Sequence, residues 1–72
     1  MREAIEIICE ALDVDESILE YDKNLIDIEQ WDSVGILSLM AILDERKKIA
    51  FEIGKIQDIK KVIDLIKLIE EL

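Results

Sequence analysis

The longest nearly apolar segment of the chain reads Val34-Gly35-Ile36-Leu37-Ser38-Leu39-Met40-Ala41-Ile42-Leu43. It is about half as long as a bilayer-spanning helix, so we expect it inside a folded protein. Asp32 and Ser33 come directly before it, and either side chain can accept hydrogen bonds from the free N–H groups of a helix start. Lys47 and Lys48 suit the negative end of such a helix. The segment therefore predicts a helix that begins at Asp32 or Ser33 and ends near Lys47.

A first amphipathic helix is predicted from Arg2 to Leu12 by the helical spacing of its apolar residues. These are Ile5, Ile8, Cys9 and Leu12, with Glu3, Glu6 and Glu10 on the other side. The following stretch, Val14 to Trp31, mixes acids with scattered apolar residues and predicts a long ordered loop. Loops of this length in small domains are usually functional or held down by their own side chains. The expected anchors are Ile18, Leu19, Leu25, Ile26 and Ile28.

After the central helix, a short link is predicted over Ile49–Ile53. The remaining apolar residues again follow helical spacing: Ile56, Ile59, Val62, Ile63, Ile66 and Ile69. The pattern predicts a brief turn over Ile56–Ile59. A last helix is expected to start between Asp58 and Lys61 and to end near Glu71.

Length and composition favour one small all-α domain over residues 1–72. A chain of 72 residues has room for a single thin core. Its 51% apolar content comes mostly from Ile and Leu, with two glycines and no proline, which suits helices joined by short turns. The predicted fold is a small antiparallel bundle of three main helices and one short helix.

Charge and cysteine content limit the classes of function. Eighteen acidic and nine basic residues give a formal charge of -9, which repels nucleic acid and anionic membranes and favours partners with basic patches. The N-terminus lacks the features of a secretory signal, and a single cysteine cannot form an internal disulfide, so we expect a cytoplasmic protein. We expect Cys9 to be a small buried apolar residue.

The chain has no histidine, which removes the usual base for activating a serine and the commonest zinc ligand. No glycine-rich phosphate loop and no metal-ligand cluster is found in the sequence either. We therefore expect neither a catalytic set nor a metal site, and we do not expect an enzyme.

The run Trp31-Asp32-Ser33-Val34-Gly35-Ile36-Leu37-Ser38-Leu39-Met40 resembles the prosthetic-group attachment region of acyl carrier proteins. Four further segments resemble that family's loop and its second, third and fourth helices, so that the resemblance covers essentially the whole chain. They are Asn24-Leu25-Ile26-Asp27, Leu43-Asp44-Glu45, Phe51-Glu52-Ile53 and Asp58-Ile59-Lys60-Lys61-Val62.

The resemblance implies that Ser33 receives a 4′-phosphopantetheine arm from coenzyme A, and that the arm's thiol carries acyl or aminoacyl groups as thioesters. The expected partners are a phosphopantetheinyl transferase, a loading ligase, and acyltransferase or synthase enzymes. Asp32 is expected to contact the transferase or its metal ion. The chain is expected to be a monomer that carries while its partners catalyse.

By the same resemblance, the helix that bears the serine is the main docking surface for partner enzymes. The residues expected to contact partners are Val34, Leu37, Met40, Asp44 and Glu45. The chain departs from fatty-acid carriers by having Gly35 and Ser38 where those proteins place acids early on the helix. It is more similar to stand-alone carriers of specialised pathways, such as polysaccharide or amino-acid modification.

Residue type alone leaves plainer readings open. Asp32 and Ser33 can serve only as helix caps, the apolar residues of the helix can be ordinary core, and Trp31 can either cover the loop-to-helix junction or lie exposed. The alternative function is an adaptor that has the carrier fold but no prosthetic group. Such an adaptor would bind a partner through its acidic surface and its apolar second helix.

Overall fold

The regular elements of the chain are α-helices and short 3-10 turns, as seen in a computed structural model that describes residues 2–50 and 53–71. The helices are α1 (Arg2–Leu12), α2 (Ser33–Lys47), α3 (Ile53–Gln57) and α4 (Val62–Glu70), and the 3-10 turns are Glu16–Ile18 and Leu25–Asp27. Within the described ranges no β-strand is present. The all-α prediction, with three main helices and one short helix, is confirmed.

Helices α1 and α2 pack side by side and run in opposite directions. The Nζ atom of Lys47, at the end of α2, forms an ion pair with Glu3, at the start of α1. At the other end of the pair, a side-chain methyl of Leu12 approaches Gly35. The predicted bounds of both helices agree with the structure.

The core consists of aliphatic side chains from all four helices and from the loop between α1 and α2. Its buried members are Ala4, Ile7, Ile8, Ala11, Leu12, Leu19, Leu25, Ile28, Ile36, Leu39, Leu43, Ile56, Val62, Leu65, Ile66 and Ile69. On α1 the inward face includes Ala4, Ile7 and Ala11, whereas Ile5 and Cys9 are only half-buried at its edge. Among the helices of the described residues, none is long and apolar enough to cross a bilayer.

Three of the five predicted loop anchors are buried, and two are not. Leu19, Leu25 and Ile28 join the core, while Ile18 is exposed and Ile26 is 84% exposed. Adjacent residues of a 3-10 turn point in different directions, so only one member of each neighbouring apolar pair reaches the core. The prediction that Ile18 and Ile26 anchor the loop was wrong.

The loop is also tied to the start of α4 through the backbone. Asn24 and Lys61 form an isolated antiparallel bridge. Three backbone hydrogen bonds accompany it: Leu25 N–H to the Lys60 carbonyl at 2.8 Å, Val62 N–H to the Lys23 carbonyl at 3.0 Å, and Ile63 N–H to the Tyr21 carbonyl at 3.0 Å. The middle of the long connection is therefore held against the start of α4.

The short helix lies earlier than its sequence pattern suggested. Helix α3 spans Ile53–Gln57 and not Ile56–Ile59, and it includes Gly54. Ile56 is buried as expected, but a spacing of three residues is shared by helices and turns, so it could not place the helix boundary. The last helix begins at Val62, directly after the predicted interval. Within the segment Phe51-Glu52-Ile53, Phe51 and Glu52 lie outside the described residues.

Candidate functional site at the start of helix α2

Ser33 is the first residue of α2, and it is exposed. The residue before it, Asp32, has extended backbone (φ -132°, ψ -174°), and its Oδ1 accepts a hydrogen bond from the N–H of Gly35 at 2.9 Å. The Asp32 carbonyl accepts the first helical hydrogen bond, from Ile36 N–H at 2.9 Å. Asp32 is thus the residue that caps the helix. The Ser33 hydroxyl is not needed for the cap and stays at the surface.

A tight turn lies directly before Ser33. The N–H of Trp31 donates to the Ile28 carbonyl at 2.9 Å, and the N–H of Asp32 donates to the Gln30 carbonyl at 3.0 Å. Ile28 is buried, and Trp31 is half-buried against the core. Trp31 therefore partly covers the loop-to-helix junction. The backbone that precedes Ser33 is therefore fixed by the hydrogen bonds of the turn and by the packing of Ile28 and Trp31 against the core.

Large apolar side chains lie exposed beside the serine. Val34 is 73% exposed and Leu37 is 55% exposed. They are one helical turn apart and are neighbours on the helix surface. Met40, the third predicted contact residue, is half-buried and packs against the core, so it can offer partners only its edge. The structure thus leaves two of the three predicted apolar contacts on the surface.

The acids predicted to contact partners lie far along the helix. Asp44 and Glu45 are both exposed, and at 1.5 Å per residue they are about 17–18 Å from Ser33 along the axis. The next two residues are engaged by α1: Arg46 Nη2 lies 2.6 Å from Glu10 Oε2, and Lys47 pairs with Glu3. The surface of α2 close to the serine is therefore apolar, and its charges lie at the other end.

An open cleft of about 470 Å³ borders the turn that precedes Ser33. Its lining combines two amides, one ammonium group and three apolar side chains: Asn24, Gln57, Lys60, Ile26, Trp31 and Ile59. This cleft was not predicted from the sequence. It forms only because the loop between α1 and α2 meets the link between α3 and α4, and no local pattern reports that meeting.

Cys9 lies away from this site. It is half-buried on α1, and burial, followed by the nearby carboxylates of Glu16 and Asp15, raises the pKa of its thiol, while Arg2 acts in the opposite direction. The thiolate, which is the nucleophilic form, is therefore disfavoured at neutral pH. Cys9 is poorly suited to carry a thioester.

The site combines an exposed serine with the capping carboxylate of Asp32. Within the described residues, no group of three or more His, Cys, Asp or Glu side chains could hold a metal ion. No protein-family model, curated protein or solved structure matches the chain.

Proposed function

We propose that this chain is an acyl or aminoacyl carrier protein in which Ser33 anchors 4′-phosphopantetheine. The observation that carries the proposal is the placement of Ser33. It is exposed at the first residue of α2, directly after an aspartate that performs the capping role the serine would otherwise share. A hydroxyl held there is accessible to a visiting enzyme, and the helix behind it fixes its direction.

The modification needs a partner, because an unaided serine hydroxyl is a poor nucleophile at neutral pH and this chain has no histidine to activate it. Ser33 Oγ forms a bond to the phosphorus that bears the pantetheine of coenzyme A, and a P–O bond of the pyrophosphate breaks. Adenosine bisphosphate leaves with the bonding electrons, and the hydroxyl proton passes to a base of the transferase. A metal ion of the transferase neutralises the pyrophosphate.

Asp32 can serve both the fold and the transferase. Its Oδ1 accepts the capping hydrogen bond from Gly35. A carboxylate has two oxygens with several lone pairs, so Oδ2 still has capacity to contact the transferase or its metal ion. The aspartate is thus a docking and positioning residue, whereas the arm's thiol supplies the chemistry of the thioester once the arm is attached.

Partner enzymes are proposed to dock on the apolar surface of α2 formed by Val34 and Leu37. These side chains are exposed beside the serine, while the acids of the helix lie near its other end. Exposed apolar side chains at the centre of a patch are typical of protein interfaces, and surrounding charge guides the approach. The charge of -9 favours partners with a basic rim around an apolar contact. The cytoplasm remains the proposed location.

The test is modification of the purified chain with coenzyme A, magnesium and a broad-specificity phosphopantetheinyl transferase, followed by intact mass measurement. Wild type is expected to gain the mass of one phosphopantetheine, and Ser33→Ala is expected to gain none. Ser38→Ala, on the same helix, and Ser17→Ala, at another exposed serine, are matched controls that should be modified like wild type.

Two results would overturn the proposal. A Ser33→Ala chain that still gains the group would place the attachment elsewhere. A folded wild type that gains nothing would favour the adaptor without a prosthetic group, which would use the same exposed surface of α2 to bind its partner.

A further inference from the structure

Gly35 lies in the first turn of α2 at a point where other parts of the chain come very close. It is buried. A Cβ atom placed on this residue would overlap the carbonyl oxygen of Gln30 and would lie 2.8 Å from Cδ2 of Leu12. Real Cβ atoms essentially never approach other heavy atoms closer than 3.0 Å. Only glycine allows the loop and the end of α1 to close on α2 here.

The oxygen that would be displaced belongs to the turn that places Ser33. The Gln30 carbonyl accepts the N–H of Asp32 at 3.0 Å, and Asp32 Oδ1 accepts the N–H of Gly35 at 2.9 Å. Residues 30, 32 and 35 thus form a connected set of backbone and capping contacts around the serine. A change at residue 35 is transmitted directly to the backbone that precedes the hydroxyl.

We propose that Gly35 is a positioning residue for the modification of Ser33, an inference that rests on the function proposed above. A methyl group at residue 35 must move a backbone carbonyl, which cannot rotate aside as the end of a flexible side chain can. The turn and the Asp32 cap must then shift, and the hydroxyl shifts with them. Docking through Val34 and Leu37, which lie on the exposed side of α2, is retained.

The chain contains its own control. Gly54, in α3, is exposed, and a Cβ atom placed on it meets nothing within 4 Å. Gly35→Ala and Gly54→Ala make the same chemical change in a helix, but only the first displaces neighbouring atoms. A second control, Ile69→Val, removes one methyl group from the core on α4 and lowers stability without touching the start of α2.

The experiment measures kcat and KM of a phosphopantetheinyl transferase for the full chain as substrate, with circular dichroism to establish folding. For Gly35→Ala we expect kcat to fall by about tenfold or more, because small misplacements of a reacting group cost up to about 10²-fold in rate. KM should change by less than about threefold, since the docking surface is retained. Gly54→Ala and Ile69→Val should both give the wild-type kcat and KM.

A folded Gly35→Ala chain with the wild-type kcat would overturn the inference. So would a similar loss of kcat in Ile69→Val, because general destabilisation would then be the cause. If Gly35→Ala does not fold, Gly35→Ala combined with Leu12→Val removes the contact with Cδ2 and leaves only the overlap with the Gln30 carbonyl, and the same loss of kcat is expected. A wild type that is not modified at all would instead overturn the proposed function, and this inference with it.

Discussion

The two ends of α2 are fixed in different ways. At the first end, each contact involves a backbone group: the Gly35 N–H donates to the Asp32 carboxylate, and the Asp32 N–H donates to the Gln30 carbonyl. At the other end, the contacts are made by charged side chains, with Arg46 paired to Glu10 and a further ion pair joining the last residue of the helix to α1.

The difference shows at which end of α2 the side chains remain available to a partner. Where the backbone and one small residue fix the helix, neighbouring side chains such as Val34 and Leu37 remain available to a partner. Where side chains fix the helix, their charged groups are already engaged. An accessible serine flanked by unused apolar side chains is therefore found at the first end, which agrees with its proposed role.

The largest expected effect comes from comparing alanine substitutions at a buried leucine and at an exposed leucine of α2. Leu39 is fully buried and Leu37 is 55% exposed. Leu39→Ala should lower the free energy of unfolding by about 2–5 kcal/mol, because it leaves a cavity in the core. Leu37→Ala should change it by less than about 0.5 kcal/mol. Urea unfolding followed by circular dichroism measures both.

The same two variants also test the proposed docking surface. Leu37→Ala, although stable, should raise the KM of the transferase for the chain, because Leu37 belongs to the proposed docking surface. Equal and large destabilisation by the two substitutions would show that the first end of α2 is packed like the rest of the core.

The next effect concerns the cap. Asp32→Ala should lower the free energy of unfolding by about 1 kcal/mol, because it removes the acceptor for the N–H of Gly35. Asp32→Asn keeps a carbonyl oxygen in that role and should be nearly as stable as wild type. If the carboxylate also contacts the transferase, Asp32→Asn should be modified about tenfold more slowly, equivalent to ~1.4 kcal/mol of the activation barrier. Wild-type kinetics for Asp32→Asn would restrict Asp32 to capping.

A smaller, stabilising effect is expected at the other end. Lys48 follows α2 in the left-handed conformation (φ 59°, ψ 33°), and its N–H donates to the Asp44 carbonyl at 3.1 Å. Glycine adopts this conformation without steric cost, so Lys48→Gly should raise the free energy of unfolding by about 0.5–1 kcal/mol. Lys47→Gly, one residue earlier and within the helix, should lower it by about 1 kcal/mol. Thermal melts that show the same sign for both would contradict this.

The smallest expected effect concerns a second aspartate cap, Asp15, which precedes the 3-10 turn Glu16–Ile18 in the loop between α1 and α2. Asp15 Oδ2 accepts the N–H of Ser17 at 3.0 Å, and hydrogen bonds from the Ser17 side chain and backbone lower the pKa of Asp15. A carboxyl group with a lowered pKa stabilises the fold above its unfolded pKa and loses that contribution as pH falls through the folded value.

Asp15→Ala should therefore melt slightly below wild type at neutral pH, and the difference should shrink as the pH falls from about 5 towards 2. The measurement is a series of melts of the two proteins across this range. A difference that stays constant with pH would mean that the charge of Asp15 makes no contribution.

Most of the fold could be predicted because its long helices repeat their signals over several turns. Helices α1 and α4 carry periodic apolar residues, whereas α2, which is apolar on several sides, was indicated by its capping aspartate, its long apolar run and the basic residues at its end. Helix α3 has five residues, too few for periodicity to fix its bounds, so it was placed three residues late. The exposure of Ile26 was missed because a short apolar cluster in a loop does not show by its spacing which of its residues points inward.

The candidate site was predictable only in part, for a related reason. Ser33 and Asp32 adjoin in sequence, so their position at a helix start could be inferred from the chain alone. The importance of Gly35 depends on the approach of Gln30 and Leu12, and the cleft beside Trp31 depends on residues from two distant connections. Such long-range juxtapositions leave no mark in a local pattern.

The bridge between Asn24 and Lys61 has a consequence for when the serine becomes competent during protein synthesis. A nascent chain that has not yet extended past residues 60–63 lacks the backbone groups that hold the loop before Ser33. Ribosomes add residues in order, and a small domain folds when its last contacts become available. Under the proposed function, Ser33 would therefore become a substrate for its transferase only after the segment that contains residues 60–63 has been synthesised and has packed against the loop.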